Sequence, residues 1–173
     1  MKKNNRRGIH LSGSKGNAIL DSVTILVILF MLGIASIIGI YLLQTFNTEV
    51  QADDGFNNLT KEHFSTQAST MPGLYDGLFI FFLGMFWAAA LLASWFIDTH
   101  PIFLVAAIIL LIVLIILGAY MSNIFDEVIS SDGITTTADS FPITKFVMRN
   151  LPYFVLAIAF TIAIVLYGKS KIE

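Results

Sequence analysis

The residues with the clearest chemical potential form one short polar segment between two apolar runs. Asp98 and His100 flank Thr99 there, and a carboxylate beside an imidazole could act as a pH-responsive pair, because histidine titrates near neutrality. In the alternative interpretation, Asp98 or Thr99 caps a helix that begins at Pro101, and His100 faces water. The spacing favours the capping role.

Other candidate motifs are isolated along the chain. Asp53-Asp54-Gly55 resembles part of a calcium loop, but the alternating acids and closing glutamate of an EF-hand are missing, so a solvated turn is favoured. Asn58-Leu59-Thr60 is a glycosylation triplet that matters only in a secretory pathway. His10 and His63 each stand alone in polar segments, and a single histidine makes no metal site. We predict no catalytic residue, no cofactor and no metal.

Four long apolar runs contain no Asp, Glu, Lys, Arg or His. Transport, proton conduction and intramembrane catalysis need polar or ionisable groups at membrane depth, so their absence from these runs predicts a non-enzymatic protein. The few hydroxyl groups can bond back to their own helices. The runs are Val23–Leu43, Gly77–Ile97, Ile102–Met121 and Leu151–Tyr167, and their serine and threonine residues are Thr24, Ser36, Ser94 and Thr161.

Composition places the chain among integral membrane proteins. Its 173 residues are 56% apolar and 13% charged, with mean hydropathy +0.80 and no cysteine, so disulfides and thiolate metal sites are excluded. A helix of about 20 residues extends roughly 30 Å, the thickness of a bilayer core. The sequence therefore predicts an all-α protein with four transmembrane helices.

The centre of the predicted fold is a tight helical hairpin over 77–121. Only Asp98-Thr99-His100-Pro101 separates its two charge-free runs. A connection this short predicts antiparallel helices in contact with each other.

Around this hairpin the charge pattern predicts the remaining segments. Asp21 or Ser22 would cap the first helix, and Lys145 and Arg149 would extend from an amphipathic segment at 141–150 towards the membrane surface. The segments are a basic arm (1–20), transmembrane helix 1 (21–45), an acidic loop (46–76), the hairpin of helices 2 and 3 (77–121), a second acidic loop (122–140), an interfacial lead-in with helix 4 (141–168) and a basic tail (169–173).

Orientation follows from the basic residues. Seven of the ten Lys and Arg lie near the termini, whereas nine of the twelve acids lie in the two predicted loops. An even number of spans puts both termini on one side, which the positive-inside rule predicts to be cytoplasmic.

Small residues four positions apart predict close helix packing. Such faces let helix backbones approach each other in lipid, and the second span carries most of them. A homo-oligomer through these faces is a further expectation. The residues are Gly84 and Ala88, Ala89 and Ala93, Ala35 and Gly39, and Ala159 and Ala163.

The N-terminal arm carries five basic residues and almost nothing apolar to bury. Anionic lipid attracts such clusters beside a span, by about 1 kcal/mol per charge. Contact with a partner protein or with nucleic acid phosphates is the alternative. The residues are Lys2, Lys3, Arg6, Arg7 and Lys15.

The layout resembles that of small multi-span virion membrane proteins of tailless, membrane-containing viruses and phages. The features are the basic arm, Asp21-Ser22-Val23, the segment from Ser94 to Pro101, Phe141-Pro142-Ile143-Thr144, and Asn150-Leu151-Pro152. The resemblance implies a structural protein in the internal membrane of a virion or a host cytoplasmic membrane, in contact with other membrane or capsid proteins. A holin-like pore-forming protein and a small subunit of a host membrane complex are the alternatives.

Overall fold

The computed structural model describes residues 18–96 and 101–169, and six helices make up most of these two ranges, which contain no strand. The helices are α1 (Ala18–Ala52), α2 (Asn58–Phe96), α3 (Pro101–Ile129), α4 (Ile134–Ala138), α5 (Pro142–Arg149) and α6 (Leu151–Lys169). The prediction of an all-α fold is confirmed.

The acidic loop predicted over 46–76 is wrong, because most of it is helical. α1 continues to Ala52 and α2 begins at Asn58, so only residues 53–57 connect them. The turn is closed locally: the Asp53 carboxylate accepts the N–H of Gly55 at 2.8 Å, and the Asn57 side chain accepts the N–H of Thr60 at 2.8 Å. The second bond is an N-cap that satisfies one free donor at the start of α2.

Cross-helix contacts hold these polar helical extensions together. The rings of Phe46 and Phe64 meet edge to face with centroids 5.2 Å apart. The Gln51 side chain donates to the carbonyl of Lys61 at 2.7 Å, and the Lys61 ammonium donates to the carbonyl of Gln51 at 3.0 Å. Packing with the partner helix stabilises segments whose overall polarity favoured a loop.

The second predicted loop, over 122–140, is also largely helical. α3 continues to Ile129, and α4 occupies Ile134–Ala138. Gly133 joins them at φ 88°, a left-handed conformation that favours glycine, and a Cβ there would lie 3.0 Å from the Tyr41 hydroxyl. This turn therefore brings α4 back onto α1.

The predicted lead-in is a separate helix, α5, bent by 77° from α6. Asn150 joins the two: its N–H bonds to the carbonyls of Phe146 and Val147, and its own carbonyl accepts from Tyr153 and Phe154. Pro142 lies in the first turn of α5 and Pro152 in that of α6, where a missing N–H costs no helix bond.

The four long helices close a ring. α1 packs against α2 and α3, and α6 packs against α2 and α3, so α2 and α3 stand at opposite corners. α2 and α3 are consecutive, as the hairpin prediction requires, but they share at most a marginal contact over the described residues. The expected contact within the hairpin is replaced by contacts of both helices with α6.

Three helices, α1, α2 and α3, contact α5 at about the same height along the molecule. Gly33 faces Met148, Asp76 bonds to Thr144, and Ser122 bonds to the carbonyl of Arg149. We call residues 34–76 and 122–150 the head, and residues 18–33, 77–96, 101–121 and 151–169 the bundle. All three bundle segments from α2, α3 and α6 are about 20 residues long, roughly 30 Å.

The apolar run of α1, Val23–Leu43, continues beyond the bundle segment of this helix, which ends at residue 33. Ile37 and Ile40 lie in the head, where they are buried in one cluster with Phe125 and Ile129. About half of the first predicted span therefore forms the core of the head.

Three helices of the described part are long and apolar enough to cross a membrane, and the bent pair α5–α6 makes a fourth if it counts as one span.

Candidate functional site

The most densely bonded polar site lies at the junction of head and bundle, around Asp76. Asp76 is an ionisable residue, yet it is only 4% exposed. One carboxylate oxygen accepts the N–H of Ile143 at 3.0 Å, and the other accepts the N–H of Thr144 at 2.7 Å and its hydroxyl at 2.8 Å. All three donors come from the first turn of α5.

This geometry makes Asp76 a helix cap supplied from a distant part of the chain. Phe141, the residue that precedes α5, makes no side-chain cap of its own. The first N–H groups of a helix lack partners within it, and a carboxylate satisfies them while complementing the positive end of the helix dipole. Asp76 thereby fixes the start of α5 against α2.

The other side of α5 packs closely on α1. A Cβ added at Gly33 would lie 3.4 Å from a methyl group of Thr144 and 3.5 Å from the thioether of Met148. Thr144, Val147 and Met148 are all buried. Glycine at position 33 lets the two helices approach at this level.

α3 holds the C-terminal end of α5. The Ser122 hydroxyl donates to the carbonyl of Arg149 at 2.7 Å, and the Arg149 guanidinium pairs with Asp126 at 2.5 Å. The Lys145 ammonium pairs with Asp139 at 2.5 Å. Lys145 and Arg149 thus pair with acids of the head, and their position at a membrane surface stays a prediction.

One further polar contact ties α4 to α1. The Thr137 hydroxyl, which is buried, donates to the side-chain oxygen of Gln44 at 2.6 Å. Hydrogen bonding between buried groups avoids the desolvation cost of unpaired ones. α4 and α5 are thus both fixed to α1.

The chemistry open to Asp76 is restricted by these bonds. Both of its oxygens accept hydrogen bonds from α5, so the carboxylate is a structural acceptor in this arrangement. No buried side-chain nitrogen or oxygen of the described ranges lacks a hydrogen-bond partner, and no group of three or more His, Asp or Glu there is placed to hold a metal ion.

Most of the small residues predicted to pack helices face outward within a single chain. The backbone of Gly39 and that of Gly84 have open space where a Cβ would be. Packing within the chain uses other glycines: Gly33 against α5, and Gly118, where a Cβ would lie 3.6 Å from Pro152. Contact between chains through the outward residues stays a prediction. The exposed ones are Ala35, Gly39, Gly84, Ala88, Ala89, Ala93 and Ala163, whereas Ala159 is half-buried.

Residues 1–17 of the basic arm and residues 97–100 at the tip of the hairpin lie outside the described residues. This applies to Lys2, Lys3, Arg6, Arg7 and Lys15, and also to Asp98 and His100.

Asp76 is the residue of this junction that the prediction from sequence placed in the acidic loop over 46–76. A signal was present: Phe64, Ala68, Met71 and Tyr75 recur at helical spacing and predict that α2 begins well before Gly77. This pattern places Asp76 inside a helix. An acid directly before a long apolar run of the same helix is unusual and marks the residue for attention.

The structure contains two apolar spaces, one on each side of the junction. A cavity of about 160 Å³ lies among the four helices of the bundle, and a groove lies between α1 and α2 in the head. Ala35 and Gly39 line the groove together with Met71 and Tyr75. Two of the predicted packing residues thus border a space that no other described residue fills.

The fold and junction define an all-α protein with three to four helices able to span a membrane and a helical head fixed on one end of the bundle. No family model, curated protein or solved structure matches this chain.

Proposed function

We propose that the protein is a non-enzymatic structural component of a membrane, which anchors the head to a bilayer and contacts neighbouring proteins through it. The observation that carries this proposal is the use of the buried Asp76 carboxylate as the cap of α5. A buried carboxylate bonded in this way orients α5 on α2, the helix that continues from the head into the bundle.

The surface of the head supports contact with other proteins. Leu42, Leu59 and Leu74 are each about 60% exposed in the head. Apolar side chains rimmed by polar ones are typical of protein–protein contacts when they form a continuous patch. The head also carries nine acids against three basic residues, which favours basic neighbours.

The setting we propose is the internal membrane of a virion, as the resemblance in layout implies. Both termini would lie on the cytoplasmic side of the host membrane and the acidic head on the other side. The arm residues Lys2, Lys3 and Lys15 would contact lipid headgroups or a capsid protein.

Crosslinking mass spectrometry on purified particles and on membranes of infected cells tests the setting. Stoichiometric presence in particles, with crosslinks from the arm lysines to a capsid protein, is the expected result. Presence in infected-cell membranes alone would contradict it, and so would presence in uninfected cells. Release of a trapped dye from lipid vesicles by the pure protein would favour the holin-like alternative.

Orientation has its own test because the chain contains no cysteine. Asp54→Cys places a single thiol in the turn of the head, and Ser14→Cys places one in the arm. A membrane-impermeant maleimide should label the first in intact cells and the second only after permeabilisation. The reverse pattern would overturn the proposed orientation.

A further inference from the structure

The bundle contains an apolar cavity of about 160 Å³ at the point where its four helices converge. Leu26 of α1, Leu83 of α2, Leu114 of α3 and Ile158 of α6 face it. The cavity is only partly enclosed, so it can be entered from outside the bundle.

The described side chains that line the cavity provide no free hydrogen-bonding group. Of the residues that line it, Trp87 alone has a polar side-chain atom, and its indole N–H donates to the Thr161 hydroxyl at 2.9 Å. The Thr161 hydroxyl in turn donates to the carbonyl of Ile158 at 2.8 Å. A polar ligand would find no partner there, whereas an apolar one would lose nothing by entering.

The position of the cavity selects which apolar molecule can reach it. Counted along α2 from the junction, its residues lie between Leu83, seven residues after Asp76, and Ala90, fourteen residues after it. At 1.5 Å per residue this is about 10 to 20 Å from the junction, near the middle of a hydrocarbon core of roughly 30 Å. At that depth the surrounding medium consists of acyl chains.

We propose that this cavity binds the terminal part of an acyl chain from a bilayer lipid, which inserts between the helices. Its volume is close to the about 150 Å³ of an apolar protein cavity that stays dry and accepts benzene. An empty space of this size would leave its lining without dispersion contacts on one side, and a chain end restores them. The bound lipid is then part of the packed bundle.

Trp87 provides a direct probe, because the chain has only two tryptophans. Trp95→Phe removes the exposed one and leaves Trp87 as the sole fluorophore in the cavity wall. The variant is reconstituted in phosphatidylcholine vesicles whose acyl chains carry bromine at shallow, middle or terminal positions. Middle and terminal bromines are expected to quench Trp87 more strongly than shallow ones.

A filling substitution separates a chain inside the cavity from lipid on the outer surface. Ala159→Leu adds an isobutyl group to the wall, and Ala163→Leu adds the same group at an exposed position one turn away. With Ala159→Leu we expect quenching of Trp87 to fall by about twofold or more, because the cavity no longer admits a chain. With Ala163→Leu it should stay unchanged.

Far-UV circular dichroism checks that each variant keeps its helices, and Ala90→Leu fills the cavity from α2 if Ala159→Leu fails to fold. Equal quenching in the filled and unfilled proteins would overturn the proposal. The proposal would also be overturned if shallow bromines quenched Trp87 best, or if no brominated lipid quenched it, as expected for a cavity occupied by a second copy of the chain.

Discussion

Replacing Asp76 with alanine tests the role of the junction most directly. The substitution removes the acceptor of three hydrogen bonds, two from backbone N–H groups and one from the Thr144 hydroxyl. Loss of a helix cap costs about 1 kcal/mol. Each buried donor left unpaired costs about 1–3 kcal/mol, although the hydroxyl can rotate towards another acceptor. We expect the free energy of unfolding to fall by about 3 kcal/mol.

The measurement is unfolding of the purified protein in mild detergent, by titration with sodium dodecyl sulfate and far-UV circular dichroism. Asp126→Ala is the matched control, because it also removes a carboxylate of the head that contacts the α5 end. Its side chain is 40% exposed, and it pairs with Arg149. An exposed ion pair contributes about 0–1 kcal/mol, so the control should lose far less stability.

A second substitution shows whether the loss arises from the cap itself. Thr144→Val keeps the shape of the side chain and removes only its hydroxyl, so we expect a loss of about 1 kcal/mol. Because Asp76 and Thr144 share a hydrogen bond, their losses should not add in the double variant. The reasoning is refuted if Asp76→Ala and Asp126→Ala have equal effects, or if the losses are strictly additive.

Three further substitutions probe the turns and the bundle by the same measurement. Gly133→Ala should cost about 1–3 kcal/mol, because it combines a left-handed backbone with a contact on the Tyr41 hydroxyl, and an unchanged midpoint would contradict this. Thr161→Val leaves the indole N–H of Trp87 unpaired inside the bundle and should lower the free energy of unfolding by about 0.6–2 kcal/mol. If water enters and pairs with this N–H, the emission spectrum of Trp87 should shift to the red. Asn57→Ala removes the cap of α2 and should cost about 1 kcal/mol, whereas Asn57→Asp should retain the stability.

The sequence predicted the helices of the bundle because their signal is strong and local. A run of about 20 apolar residues without charge fits a bilayer in length and composition, whatever its neighbours are. The runs after Asp76, after His100 and after Asn150 accordingly correspond to the bundle segments of α2, α3 and α6. Which of these helices contact each other depends on the whole fold. The prediction of contact between α2 and α3 therefore missed that both helices pack against α6.

The head could not be predicted in the same way, because polarity and helix-breaking residues outweighed weak periodicity. Pro72 and Gly73 lie within α2, where they argue against a helix, yet α2 continues through them. The helical extension is held by contacts that are distant in sequence, such as Phe46 with Phe64 and Gln44 with Thr137. A reading of local composition contains no information about these pairs.

Small residues illustrate the same limit on prediction. Spacing alone gave Gly84 and Gly39 the same status as packing residues, but both lie beside open space within one chain. Gly33 and Gly118 were not singled out, and these two glycines face α5 and α6. Four-residue spacing identifies faces that can approach another helix closely, and only the tertiary arrangement determines whether a partner is there.

The bend between α5 and α6 explains how these features act together. α6 runs through the bundle, and a 77° bend at Asn150 turns the chain so that α5 crosses between α1, α2 and α3. Each of these helices supplies one contact: Gly33 gives space, Asp76 gives the cap, and Ser122 binds the last carbonyl of α5. Because α1, α2 and α3 all run on from the head into the bundle, these three contacts fix α5 among helices that the two regions share. A rigid head is what a protein needs if it is to hold neighbours at a fixed height above a membrane.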